Sequence, residues 1–110
     1  MNLSQLSERV FVCGQVQANE MSELASQGFA TVICNRPDGE DPGQPSANEI
    51  QASVEAAGMK FFFVPFNPMN PDPHMVPKFA EAIEQANDGK ILAYCRSGNR
   101  SSRLWAAVSQ

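Results

Sequence analysis

Four short, nearly continuous apolar runs punctuate the chain, and a helical pattern follows each of them. Val10-Phe11-Val12-Cys13, Thr31-Val32-Ile33-Cys34, Phe61-Phe62-Phe63-Val64 and Ile91-Leu92-Ala93-Tyr94 all lack the apolar-polar alternation of a strand with one wet face. Runs this uniformly apolar read as strands covered on both sides, which is the situation of a parallel sheet layered between helices. After the first run, Met21, Leu24 and Ala25 fall at helical spacing, with Asn19 as N-cap and Gly28 as the stop. After the second, Ser46 and Glu49 form a capping-box pattern before Ile50, Val54 and Ala57, closed by Gly58. Met75, Phe79, Ala82, Ile83 and Ala86 make a third helical stripe ended by Gly89, and Leu104, Ala107 and Val108 outline a fourth. The expectation is one three-layer α/β domain over residues 1–110, with a central, mainly parallel four-stranded sheet flanked by helices. A chain of 110 residues is long enough to bury a single core without staples.

Composition excludes several classes. The longest apolar stretch, residues 59–66, is broken by Lys60 and Pro65 and falls far short of the ~20 residues a membrane helix needs. Residues 1–8 are polar, without the basic start and apolar centre of an export signal, so a cytoplasmic location is expected. Net charge is -4, yet all 12 acidic residues lie at or before Asp88. Residues 89–110 hold Lys90, Arg96, Arg100 and Arg103 with no carboxylate. Nucleic acid demands a broad basic face that this chain lacks, whereas a small anion needs only a few cations; arginines that merely solvate a helix are the alternative. The three cysteines, Cys13, Cys34 and Cys95, are too few and too widely spaced for a disulfide framework or a zinc pattern. No metal or other cofactor is expected. Each cysteine ends or directly follows an expected strand, and in open parallel sheets ligands collect at that edge.

Cys95-Arg96-Ser97-Gly98-Asn99-Arg100-Ser101 joins the last strand to the last helix. Backbone amides in such a turn point inward as a nest for an anion, and the helix dipole places partial positive charge at the same spot. Arg96 and Arg100 add full charges, Gly98 suits a tight turn with positive φ, and Ser97 and Ser101 offer hydroxyl donors. A cysteine in these surroundings is held as thiolate, the nucleophilic form. Arg100 is a planar fork able to hold an oxyanion from two sides. The competing reading is a surface loop with a buried cysteine at its base.

Preceded by Ala93-Tyr94, this heptapeptide resembles the active-site loop of rhodanese-type sulfurtransferases, where four residues separate a persulfide-carrying cysteine from an arginine. Thr31 to Glu40, followed by a helix, a strand and a proline-rich loop, is similar to dual-specificity and tyrosine phosphatases. More closely, from about Gln5 onward the chain resembles the bacterial phosphatase-like domain called beta-lactamase hydrolase-like or DUF442, some members of which are labelled sulfur transferases. That resemblance implies a sheet in which the strand Ile91 to Tyr94 lies between those ending at Cys13 and Cys34. Cysteine phosphatases carry histidine before the cysteine and five residues between cysteine and arginine. Here Tyr94 precedes, four residues intervene, and Ser101 stands where the phosphatase arginine would. A loop one residue shorter loses about 3.3 Å of contour, which suits a sulfur atom better than a phosphate. The expected function is therefore cysteine-dependent sulfur transfer through a Cys95 persulfide. A phosphatase with a Cys95 phosphocysteine is the alternative, and a non-catalytic anion-binding or redox-sensing domain is a third.

A phosphatase must also protonate its leaving group, and the resemblance places that acid on the loop after Phe61-Phe62-Phe63-Val64, where Asp72 is the one carboxylate. Asp72 between two prolines is equally a turn and helix cap, and His74, the single histidine, reads first as a residue of the next helix turn. Cys34 and Cys13 read as buried thiols, the phenylalanine run as core, and Arg36 and Lys60 have no assigned task. A small anionic sulfur or phosphate compound is the expected partner. The chain ends about ten residues after Arg100, so a homodimer burying Trp105, or a chain shortened from a longer one, is the further expectation.

Overall fold

The computed structural model describes residues 2–109 and carries the expected alternation with one strand more than expected. Five strands, β1 (Ser4–Gln5), β2 (Val10–Cys13), β3 (Phe29–Cys34), β4 (Lys60–Phe63) and β5 (Lys90–Tyr94), form one sheet in the order β1-β2-β5-β3-β4. The last four are parallel, so β5 lies between β2 and β3. The strand missing from the sequence reading, β1, pairs antiparallel with β2 at the edge. Its two residues are polar and exposed; backbone pairing holds them, and Leu3 just before them packs against the first core cluster.

Helices α1 (Met21–Ser26) and α2 (Ala47–Ala56) lie against one face of the sheet, and α3 (Met75–Gln85) and α4 (Asn99–Val108) against the other. The alternation along β5 shows why its run is apolar throughout. Leu92 and Tyr94 join the first core cluster with Leu24, Ile50 and Val54, while Ile91 and Ala93 join the second with Phe79 and Leu104. Truncating a fully buried ring such as Phe79 to alanine costs about 3–5 kcal/mol in such a core.

Local signals behave as their chemistry requires, with exceptions. The Ser46 hydroxyl accepts from Glu49 N at 3.2 Å, and the Asp38 carboxylate accepts from Ala47 N at 2.7 Å, so α2 has two side chains on its orphan amides. Asn19 does not cap α1. It sits inside a 3₁₀ turn, Ala18–Glu20, whose entry is closed by Gln17 N donating to Glu20 Oε1 at 2.7 Å. The phenylalanine run is not core: β4 is an edge strand, Phe61 and Phe62 are half-buried, and Phe63 is 45% exposed. Periodicity cannot distinguish an apolar edge strand from a central one. Ala107 faces solvent, while Trp105 packs half-buried against the second core cluster of its own chain. Among the described residues no helix is long and apolar enough to cross a membrane, and no cluster of three or more His, Cys, Asp or Glu side chains is placed to hold a metal ion.

Candidate functional site

The C-terminal ends of β2, β5 and β3 lie side by side, with Tyr94 in register with both Cys13 and Cys34. Cys95 follows at once and is fully buried. Residues 95–98 then turn sharply into α4, and two backbone close approaches fix that turn. Gly98 has φ +93, the left-handed region that disfavours a side chain, and a Cβ there would meet the Cys13 carbonyl group at 3.4 Å. A Cβ on Gly14 would come within 2.9 Å of the Arg96 carbonyl oxygen, which also accepts from Gln15 N at 3.4 Å. Cys95 N donates to the Cys13 carbonyl oxygen at 3.3 Å, so the end of β2 braces the loop from beneath.

The loop is built around the sulfur. Gly98 N donates to Cys95 Sγ at 3.0 Å. Burial pushes the Cys95 thiol up, but the amides of Ser101 and Ser97, the Ser101 hydroxyl and the Gly98 amide outweigh it, and the net direction is down. These groups stabilise the thiolate much as an oxyanion hole stabilises oxygen. The Ser101 hydroxyl has a single proton, shared between the Cys95 sulfur and Asn35 Oδ1, which accepts it at 2.8 Å. Asn35 is fully buried and oriented by its Nδ2 donating to the Val64 carbonyl at 2.9 Å.

The two neighbouring thiols are different. Burial, reinforced by the Glu20 charge, pushes Cys13 up to about 12. Burial likewise raises Cys34, with only partial relief from Tyr94 and the Arg36 backbone. The Tyr94 hydroxyl is buried beside the Cys34 thiol but makes no hydrogen bond of good geometry among the described residues, and burial raises its pKa too. Tyr94 is therefore a packing residue under the loop, unable to charge.

A belt of charge surrounds the loop. The Arg100 guanidinium donates from NH1 to Glu40 Oε2 at 2.8 Å and to the Phe66 carbonyl at 2.9 Å, and from NH2 to Glu40 Oε1 at 2.8 Å. Glu40 Oε1 also accepts from Arg36 Nε at 2.9 Å. Arg36, only 4% exposed, reaches Gln15 Oε1 at 3.0 Å and Asp41 Oδ2 at 2.7 Å. Arg96 Nε approaches the same Asp41 oxygen at 3.4 Å, with its side chain largely in solvent. The Arg100 pair, then burial working against it, then Arg36, leave the Glu40 carboxyl below its usual range. A cleft of about 250 Å³ lined by Asn2, Cys13, Gly14, Gln15 and Ser97 opens beside the loop. The larger cleft, about 300 Å³ between β4 and α3, is lined by no residue of the loop.

Residues 2–110 match the family described as "Beta-lactamase hydrolase-like protein, phosphatase-like domain". The chain belongs to that family. The Beta-lactamase hydrolase-like protein of Agrobacterium fabrum is 31% identical over 105 residues, which are 96% of this chain and 24% of that protein. This phosphatase-like domain thus spans about a quarter of the length of the curated relatives it matches. Among solved structures, a candidate phosphatase of Neisseria meningitidis (nma1982) superposes with a TM-score of 0.82 at 36% identity, over 92% of this chain and 71% of that one. The catalytic core of the yeast PP-IP phosphatase SIW14, at 20% identity and a TM-score of 0.73 over 99% of this chain and 65% of that one, shares the fold.

Within this phosphatase-like domain, Cys95, Ser97, Gly98 and Ser101 converge on one sulfur. Arg96 and Asn99 are exposed on the rim, and the Asn99 amide donates to Ser97 Oγ at 3.4 Å. Arg100 is adjacent to the loop but its fork is turned onto Glu40. Asp72 is half-exposed and engaged locally: its Oδ1 accepts from His74 N at 2.9 Å and lies 2.8 Å from His74 Nδ1. Those backbone and ring bonds hold the Asp72 carboxyl below the usual range. Asn35, Glu40, Asp41 and Gln15 were not singled out by the sequence, and Arg36, left without a task, is the most buried charge of the belt.

Proposed function

We propose that this domain hydrolyses phosphate monoesters through a Cys95 phosphocysteine. The observation that carries this reading is the buried Cys95 sulfur at the turn where a parallel strand feeds a helix, accepting from Gly98 N at 3.0 Å and held below the ordinary thiol range by the amides of that turn. The shared fold and the 36% identity to the Neisseria candidate phosphatase support it. The thiolate attacks phosphorus as the bond to the ester oxygen breaks, and the loop amides stabilise the charge on the equatorial oxygens. Asp72 gives its proton to the departing oxygen; release from His74 raises its proton affinity for that task. Water then attacks phosphocysteine, its proton passes to the Asp72 carboxylate, and inorganic phosphate and the thiolate are regenerated.

Sulfur transfer is the second reading, and one observation favours it: Ser101 occupies the position of the phosphatase arginine while the Arg100 fork is already filled. In it the thiolate attacks a sulfane sulfur, the donor's S–S bond breaks, sulfite or a thiolate leaves, and an acceptor nucleophile removes the sulfur.

Intact-mass analysis separates the two. Hydrolysis of an aryl phosphate, with a phosphoryl adduct on Cys95 after a rapid quench and neither in Cys95→Ser, is the expected result. A gain of one sulfur atom from thiosulfate without aryl phosphate hydrolysis overturns it in favour of sulfur transfer. Asp72→Asn lowers hydrolysis by about 10²- to 10⁴-fold and leaves sulfur transfer nearly intact.

A further inference from the structure

The geometry points to Glu40 as a residue that sets how tightly the Cys95 site holds tetrahedral dianions, phosphate ester and free phosphate alike, by filling the guanidinium of Arg100. A guanidinium has five N–H donors, and the fork formed by its two terminal nitrogens is the face that grips an oxyanion from two sides. On Arg100 that fork is spent: both nitrogens donate to Glu40, each at 2.8 Å, and NH1 also donates to the Phe66 carbonyl. The Arg100 side chain is 10% exposed and the Glu40 side chain 23%, so the pair is shielded from the screening that makes surface ion pairs weak.

Glu40 is not free to drift away. Arg36 Nε holds the same Oε1 oxygen at 2.9 Å, and Glu40 N donates to Gln44 Oε1 at 3.1 Å. Asp41, next along, takes Arg36 at 2.7 Å and approaches Arg96. Three guanidinium groups are thereby met by two carboxylates, which leaves one positive charge in excess beside the Cys95 loop. A dianion entering this field must break a bidentate pair before Arg100 can serve it, whereas a group held by the loop amides alone need not. Free phosphate, the product of the proposed hydrolysis, and ambient sulfate are then held weakly, and an ester draws its additional affinity from its organic group.

This inference rests on the reading that the Cys95 loop receives an anion, and it predicts a gain of binding, which a residue that only braces the loop would not give. Titration calorimetry of the full chain with sodium sulfate is the test, with circular dichroism to establish folding. Glu40→Gln is expected to bind sulfate on the order of tenfold more tightly than the parent, and Glu40→Gln combined with Arg100→Gln to lose that gain. Equal or weaker sulfate binding by folded Glu40→Gln overturns the assignment. Should Glu40→Gln not fold, Glu40→Asp decides: it keeps a negative charge in the belt and draws it back by one methylene from the Arg100 fork, as from Arg36. Tighter sulfate binding then supports the role, and unchanged or weaker binding refutes it. Sulfate binding involves no turnover, so absence of aryl phosphate hydrolysis rejects the proposed reaction without touching this result, and the reverse also holds.

Discussion

Three cysteines stand at the ends of three adjacent strands, all at most 3% exposed, and only one of them is built to ionise. Burial raises all three, to about 12 at Cys13, and at Cys95 alone the direction reverses. What differs is the chain that follows. After Cys13 and Cys34 the backbone runs into open loops with Glu20 and Asp38 among the nearby charges, which oppose a thiolate. After Cys95 it turns within four residues into α4 and aims the amides of Ser97, Gly98 and Ser101 at the sulfur. Reactivity here is a property of amides converging on a point, and burial only raises the stakes of having them.

The contrast breaks most plainly by removing its active member. Cys95→Ser is expected to lose at least about 10³-fold in turnover, while Cys34→Ala, which removes a thiol bonded only to the Arg36 carbonyl, retains most of it. Comparable losses in both variants would end the distinction. Next in size is chemical selectivity. A thiol at about 12 is ionised in roughly one molecule in 10⁵ at pH 7, so a small alkylating reagent should form a single adduct there, on Cys95. Because the Cys95 shift is downward, its alkylation rate rises with pH with a midpoint below the ordinary thiol value of 9.0. Labelling of Cys13 or Cys34 ahead of Cys95 in peptide mass spectra would contradict the electrostatic account.

The sheet and the strand-loop-helix turn at Cys95 were legible because their signals are local. Apolar runs of four, glycine stops and the strand-loop-helix sequence around Cys95 each sit within a few residues of one another, and the implied place of β5 between β2 and β3 follows from the resemblance. The edge strand β1 left no trace, because Ser4 and Gln5 contribute backbone pairing and no apolar pattern. Phe63 misled for the opposite reason: its apolarity says nothing about whether a strand has one neighbour or two. The belt was beyond local reading altogether. Ser101 meets Asn35 across 66 residues of sequence and Arg100 meets Glu40 across 60, and no spacing rule announces either. Arg36 and Arg100 read as free cations until the fold brought Glu40 between them.

Gly98 is where the two kinds of cysteine environment touch. Its amide bonds to the Cys95 sulfur, while any side chain on it would press on the Cys13 carbonyl at 3.4 Å with the backbone at φ +93. Gly98→Ala should therefore cost about 1–2 kcal/mol of stability from the left-handed conformation alone. It should also slow Cys95 alkylation as the amide is displaced. A lowered melting temperature with unchanged alkylation would mean that the Gly98 amide is dispensable to the thiolate.

The smallest expected effect on reactivity is the one that separates hydroxyl from amide. Ser101 acts on Cys95 first through its backbone N–H and less through its side chain, whose single proton is shared between the sulfur and Asn35 Oδ1 at 2.8 Å. Ser101→Ala keeps the amide and deletes the hydroxyl, so Cys95 alkylation at pH 7 should fall by only about two- to tenfold, the size of one net hydrogen bond. Stability should fall by about 1–3 kcal/mol, because the fully buried Asn35 is left with an unmet acceptor whose orientation its bond to Val64 still fixes. The two readouts thus move unequally, stability more than reactivity. If alkylation instead collapsed to the rate of Cys34, the Ser101 hydroxyl rather than the converging amides would be what distinguishes Cys95 from its neighbours.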